Sequence, residues 1–119
     1  MPFINAKTNV ALSDEQKLSL KTKLTNSITA IPGKTPAYLM CAVEDNISMM
    51  FRGDEKTPVA FVDVKLLCRN VGDDSMKPHY TALTAEICRI MNEEIGVSGD
   101  RCYVKFEEVR YWGMDSFMF

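Results

Sequence analysis

The sequence predicts an α+β fold in which two βαβ units form one four-stranded mixed sheet with both helices on one face. Residues 2–43 and residues 59–106 each contain a strand-like segment, an amphipathic helical segment and a second strand-like segment. The length of 119 residues fits a single domain, 1–119. Helices on one side leave the other face of the sheet uncovered, so the pattern also predicts an oligomer.

The first strand and first helix have clear local signals. Residues 2–8 alternate, with Ile4 and Ala6 on one face of the predicted strand. Ser13 followed by Gln16 is a capping-box pattern, which indicates the start of a helix. Pro32-Gly33 ends the helix. Its apolar stripe has helical spacing and consists of Leu20, Leu24, Ile28 and Ile31.

The segments that follow predict three strands of different kinds. Residues 38–43 are apolar on both faces, as expected of a strand buried in the middle of a sheet. Residues 47–51 indicate a short edge strand that ends at Arg52-Gly53. Residues 59–68 form the longest β-branched and apolar run, and they predict the third major strand.

The second unit ends with another helix and a fourth strand. Pro78 lies in the first turn of the predicted helix and Gly96 closes it. Its apolar face consists of Tyr80, Leu83, Ile87, Ile90 and Met91. Residues 102–106 alternate and predict the fourth strand, continued by residues 107–110. The tail, residues 111–119, is rich in aromatic residues and is expected to pack on another surface.

Composition argues against several classes of partner. The formal net charge is −2, and basic residues are not gathered into a stripe, so we expect no nucleic-acid partner. No apolar run is long enough for a membrane span and no export signal is visible, so we expect no membrane partner and a cytoplasmic location. The four cysteines contain no CxxC pair, and His79 has no companion ligands, so neither a metal site nor a thiol redox motif is expected.

Pro2 is the residue with the most distinctive chemistry. Removal of Met1 would make its ring nitrogen a secondary amine, and an α-amino group titrates near about 7.7–8.0. Burial beside another cation would lower the pKa of this amine further. Pro2 would then be a free base at neutral pH, which suits general base catalysis.

Five stretches of the chain resemble the macrophage migration inhibitory factor family, within the tautomerase superfamily. They occur in the order and at the spacing of the family, and together they span almost the whole chain. They are residues 1–4 with 8–10, residues 33–38, residues 50–53, residues 100–103 and Trp112-Gly113. The resemblance implies a homotrimer with active sites at the subunit interfaces.

The resemblance also implies a reaction, the keto–enol interconversion of a small α-keto acid such as phenylpyruvate without a cofactor. Pro2 would be the general base, and Lys34 would hold the substrate carboxylate and keep the nearby amine deprotonated. Leu67 would contact the substrate through its backbone N–H, and Tyr103 would come from the adjacent subunit. The apolar walls of the pocket would be Phe3, Trp112 and Phe119.

Departures from the family pattern bear on substrate choice. Leu67-Cys68 stands where the family usually has Ile-Gly, which would reshape the adjoining loop. Lys105 replaces a frequent asparagine and would add a positive charge that favours dianionic substrates. Met114 replaces a common tryptophan. The CxxC redox motif of the family is absent from residues 59–62, so thiol oxidoreductase activity is not expected.

Two other functions remain open at this stage. One is a cytokine-like trimer that binds a protein receptor and keeps only a vestigial pocket. The other is decarboxylation or dehalogenation by the same base. The resemblance also leaves unconventional secretion open, because members of the family can leave cells without an export signal.

Overall fold

The computed structural model describes all residues 1–119 and confirms the predicted α+β architecture. Each of the two units places a helix between two parallel strands. The first unit comprises β1 (Pro2–Thr8), α1 (Asp14–Ser27) and β2 (Met40–Glu44). The second comprises β3 (Ala60–Leu67), α2 (Lys77–Ile95) and β4 (Cys102–Val109). The tail adds a hairpin of two short strands, β5 (Gly113–Met114) and β6 (Phe117–Met118).

The four long strands form one mixed sheet with the order β2-β1-β3-β4. β1 is parallel to β2, and β3 is parallel to β4. The two units meet where β1 and β3 run antiparallel, and there Pro2 lies opposite Leu66 and Phe3 opposite Lys65. This register brings the beginning of the chain next to the end of β3.

The core lies between the helices and one face of the sheet. Side chains of a strand alternate between faces, so the buried residues of β1 and β3 are every second one. The core side chains of both helices match the predicted stripes, with Leu20, Leu24, Leu83 and Ile87 fully buried, and Ile28, just after the end of α1, is buried as well. The sheet contributes Ile4, Ala6, Val62, Val64 and Leu66.

Both helices begin, and α2 ends, as their local sequence predicts. α1 ends earlier than predicted, at Ser27, and residues Ile28–Ala30 form a 3-10 turn before Pro32-Gly33 because the chain tightens to bonds between residues three apart, such as that from the Ile31 N–H to the Ile28 carbonyl. The side chain of Ser13 accepts a hydrogen bond from the Gln16 N–H at 3.1 Å, and the Gln16 side chain accepts one from the Ser13 N–H at 2.9 Å. This capping box satisfies two donors at the first turn of α1. Gly96 closes α2 in the left-handed region, with φ of 73°, which glycine adopts without steric cost.

Two strand predictions are wrong. β2 is an edge strand, not a central one, because only β1 is paired with it, and none of its residues is buried within the chain. Residues 47–51 do not form a strand. The only bridge in that region joins Phe51 to Asp54 around a tight turn, and Arg52 in that turn has φ of 55°.

The face of the sheet opposite the helices, termed here the open face, is not covered within the chain. Its centre is charged, in contrast to the apolar core face. Its central side chains are Phe3, Asn5, Asp63, Lys65, Tyr103, Lys105 and Glu107. Neither helix is both long and apolar enough to cross a membrane.

Candidate active site

The beginning of the chain lines an apolar cleft of about 410 Å³. The walls come from β1, from Tyr38 in the loop before β2, from the first residue of β2, from β3 and from the tail hairpin with the residue before it. The lining residues are Met1, Pro2, Phe3, Tyr38, Met40, Lys65, Trp112, Gly113 and Met114. The cleft therefore contains the predicted base Pro2 and two predicted wall residues, Phe3 and Trp112.

Pro2 is the first residue of β1 and is buried. Proline is accepted at the first position of a strand because it has no N–H to donate to the sheet. The next residue, Phe3, points to the open face and lies opposite Lys65 on β3. Pairing with β3 on one side and β2 on the other holds this part of the chain in place.

Lys34 lies next to the cleft, although it is not part of the lining. Its ammonium group donates a hydrogen bond to the carbonyl of Leu67 at 3.3 Å. The preceding residue, Gly33, has φ of 81°, so the chain can turn here after α1. The Lys34 N–H then bonds to the carbonyl of Ile31 at 3.1 Å, which fixes the turn.

Leu67 connects Lys34 to the N-terminus. Its N–H donates a hydrogen bond to the carbonyl of Met1 at 3.1 Å, while its own carbonyl accepts the bond from Lys34. The three residues therefore form a chain of contacts around the bond between Met1 and Pro2. The predicted grouping of Pro2, Lys34 and Leu67 is present in the structure.

The electrostatic environment at the N-terminus disfavours positive charge. The pKa of the Met1 amine is lowered from its ordinary value, first because the group is partly removed from water and second because the Lys34 cation is nearby. Both causes act at the edge of the cleft that Pro2 lines. An amine in this place is biased towards its unprotonated, basic form.

Besides Lys34 and Leu67, which lie next to the cleft without lining it, three more predicted site residues lie outside the cleft of the single chain. Tyr103 pairs with Phe61 at the far end of β3 from Leu66, five strand positions away, or roughly 16 Å. Lys105 lies opposite Asp63 in the middle of the open face. Phe119 packs edge to face against Phe117 with ring centres 5.0 Å apart, and its N–H bonds to the Trp112 carbonyl at 2.9 Å.

Sequence reasoning did not single out four side chains that line the cleft, namely Met1, Tyr38, Met40 and Lys65. Two signals pointed to part of this set. Tyr38 ends the stretch 33–38 that resembles the family, and the alternation of β3 puts Lys65 on the face opposite the core. The register of strand pairing decides which residues of a neighbouring strand lie beside Phe3. Local sequence patterns do not specify that register.

The side chains around the cleft are suited to an organic anion. Apolar walls exclude water, and the cations Lys34 and Lys65 supply positive charge. Nowhere in the chain are three histidine, cysteine, aspartate or glutamate side chains grouped closely enough to hold a metal ion. The groups brought together here are an amine whose pKa is lowered, two lysine cations and apolar walls.

Comparison with known protein families gave a match that covers almost the whole chain. The sequence model described as macrophage migration inhibitory factor matches residues 1–116. A comparison with curated protein sequences gave no significant match.

Three solved structures illustrate the similarity of fold. A macrophage migration inhibitory factor of Leishmania major is 23% identical to this chain and has a TM-score of 0.86. The aligned region covers 100% of this chain and 97% of the Leishmania chain. A homologue from Prochlorococcus marinus is 24% identical, covers 98% of each chain and has a TM-score of 0.82. Pt0534, solved after inactivation by 2-oxo-3-pentynoate, is 17% identical to this chain and has a TM-score of 0.76. The aligned region covers 90% of this chain and 85% of the Pt0534 chain.

Proposed function

The chain belongs to the macrophage migration inhibitory factor family, and on that premise we propose that it is a cofactor-independent keto–enol tautomerase of small α-keto acids. The general base is the Pro2 nitrogen after removal of Met1. The observation that carries this proposal is the position of Pro2, buried at the edge of an apolar cleft beside Lys34 and Leu67.

The reaction is a proton transfer between carbon and oxygen. The Pro2 nitrogen takes a proton from C3 of the keto acid, the C3–H electrons form the C2–C3 double bond, and the carbonyl electrons move to oxygen. The protonated Pro2 amine then gives a proton to that oxygen, directly or through a water molecule, which forms the enol and restores the free amine. In the reverse direction the proton returns to C3, so atoms and charge balance without an oxidant or a metal.

Removal of Met1 would change two features of the site together. The Pro2 nitrogen would become an amine, and the Leu67 N–H would lose its acceptor, the Met1 carbonyl. A freed N–H beside Pro2 can donate to the substrate as negative charge develops on its oxygen. The burial and the Lys34 charge that lower the pKa of the Met1 amine would act on the Pro2 amine as well.

We further propose that the active form is a homotrimer in which Tyr103 and Lys105 approach the cleft of a neighbouring chain. Support comes from the uncovered open face and from the exposed apolar side chains around the cleft, which include Tyr38, Met40 and Phe117. Light scattering during gel filtration should give a mass three times the 13.4 kDa of one chain. A mass of one chain at micromolar concentration would refute the trimer.

The substrate class is supported by one of the structural relatives. Pt0534 was solved after inactivation by 2-oxo-3-pentynoate, which is itself an α-keto acid. In this chain the carboxylate of such a compound would lie near Lys34. The organic substituent of the compound would lie against Phe3 and Trp112. Phenylpyruvate is a suitable test substrate because its ring matches these walls.

The test measures phenylpyruvate tautomerisation as a function of pH while intact mass reports whether Met1 has been removed. We expect activity in the protein that begins at Pro2, with kcat/KM controlled by a group whose pKa lies below that of an ordinary α-amine. Equal activity in protein that retains Met1 would overturn the proposal. If the protein is active but its kcat/KM does not follow the titration of an amine as pH changes, the role of Pro2 is overturned.

A further inference from the structure

A second lysine, Lys65, lines the cleft that contains Pro2. It projects from β3 on the open face and lies opposite Phe3 in the sheet. Its side chain is 37% exposed, so the ammonium group can be reached from solvent. No other cationic side chain belongs to the lining of this cleft.

The acidic neighbours of Lys65 leave its hydrogen-bonding capacity unused. Its ammonium nitrogen lies 3.9 Å from a carboxylate oxygen of Asp63 and 3.8 Å from one of Glu107. These separations are too long for hydrogen bonds. Both carboxylates are also shared with Lys105, at 3.8 Å in each case. Two lysines thus balance two carboxylates, and the donors of Lys65 remain available to a ligand.

Lys65 and Lys34 approach Pro2 from different directions. Pro2 lies opposite Leu66, and Lys65 and Leu67 are the residues before and after Leu66 on β3. The Lys34 ammonium group donates a hydrogen bond to the carbonyl of Leu67. Residues two apart on a strand are separated by roughly 6.6 Å, so Lys65 and the Leu67 carbonyl that binds Lys34 lie on either side of the residue paired with Pro2.

We propose that Lys65 binds a second carboxylate of the substrate and that the cleft takes small α-keto dicarboxylates. This inference rests on the proposed function. The carboxylate next to the keto group lies at Lys34, C3 faces the Pro2 nitrogen, and the remote carboxylate accepts hydrogen bonds from Lys65. A monocarboxylate such as phenylpyruvate uses the apolar walls and makes no such bond.

The assay follows exchange of the C3 protons for deuterium in D₂O by NMR, because it applies equally to 2-oxoglutarate and phenylpyruvate. The variants are Lys65→Gln, which removes the charge, and Lys65→Arg, which keeps it. Lys56→Gln is the matched control, since Lys56 is exposed on a loop and its side chain forms no hydrogen bond or ion pair. Thermal unfolding of each variant confirms that it is folded.

In Lys65→Gln we expect KM for 2-oxoglutarate to rise about tenfold or more, as for the loss of a hydrogen bond to a charged group. KM for phenylpyruvate should stay within about twofold, Lys65→Arg should retain 2-oxoglutarate turnover, and Lys56→Gln should behave as the parent protein. An equal effect on both substrates, or none on 2-oxoglutarate, would overturn the inference.

Failure of the proposed function gives a different result. The parent protein, beginning at Pro2, would then exchange neither substrate. In that case calorimetry with 2-oxoglutarate decides the role of Lys65 as a binding residue. Affinity about tenfold weaker in Lys65→Gln than in the parent protein would support that role. Equal affinity, or no binding by the parent protein, would refute it.

Discussion

The N–H of Leu67 donates a hydrogen bond to the carbonyl of Met1 over 3.1 Å. This bond ties the end of β3 to the residue directly before Pro2. As long as Met1 is present, the Leu67 donor is occupied and the Pro2 nitrogen is an amide. The presence of Met1 therefore suppresses both chemical features that the proposed reaction requires.

The first prediction concerns a chain with one alanine inserted between Met1 and Pro2. Removal of the initiator then leaves alanine in front of Pro2, so the Pro2 nitrogen remains an amide without basicity. We expect tautomerase activity to fall about 100-fold to 10,000-fold, the usual contribution of a general base. Phenylpyruvate turnover, with intact mass as the control for processing, is the measurement. Activity equal to that of the parent protein would exclude Pro2 as the base.

The second prediction concerns Lys34→Gln. The Lys34 charge helps to lower the pKa of the terminal amine, so its removal should raise that pKa towards the ordinary value. A base with a higher pKa is protonated over a wider range, and the rising limb of kcat/KM against pH should move to higher pH. Lys34→Arg keeps the charge and serves as the control. An unmoved limb in Lys34→Gln would show that the Lys34 charge does not tune the base.

The third prediction tests the core of the first unit. Leu24 on α1 is fully buried, whereas Leu18 on the same helix is 63% exposed. Leu24→Ala should lower the free energy of unfolding by about 2–5 kcal/mol, because it removes apolar contacts and leaves a cavity. Leu18→Ala should change it by about 0.5 kcal/mol or less. Urea denaturation at one protein concentration compares the two, and similar losses would contradict the observed burial.

The fourth prediction concerns Arg101, which holds the loop before β3. Its guanidinium donates hydrogen bonds to the carbonyls of Phe51, Asp54, Thr57 and Pro58, at 3.0–3.4 Å. The single ammonium group of lysine cannot reach all four carbonyls with the geometry of the guanidinium. Arg101→Lys should therefore lower the free energy of unfolding by about 1–3 kcal/mol.

Arg110→Lys is the matched control for that experiment, because Arg110 is exposed and its side chain forms no hydrogen bond or ion pair. Hydrogen exchange of residues 52–58 should quicken in Arg101→Lys and stay unchanged in Arg110→Lys. Unchanged exchange in both variants would show that the four contacts do not order the loop.

Local patterns predicted the elements that have strong local causes. The Ser13 and Gln16 capping box, the helical spacing of Leu20 and Leu24, and Gly96 each act within a few residues of the chain, so they can be recognised without the fold. The alternation of Phe3 and Ile4 likewise reveals the two faces of β1, because strand side chains alternate by geometry.

The errors came from segments whose structure depends on distant neighbours. Residues 38–43 are apolar on both faces, and in a sheet of a single chain this favours a central position. β2 is nevertheless the edge strand, and its outward side chain Met40 is 69% exposed. The Ile47–Phe51 segment has strand-like composition but no pairing partner, so it does not become a strand.

The amino-acid sequence by itself determined the kind and order of the two helices and four long strands, the two faces of β1 and the likeness to a family. It also marked Pro2, Phe3, Lys34, Leu67 and Trp112, which lie in or beside the cleft. Only the tertiary structure decided that β1 pairs with β3 in the register that sets Phe3 opposite Lys65. The physical reason is that strand register depends on hydrogen bonds and packing between residues far apart in the chain, and no short-range pattern encodes them.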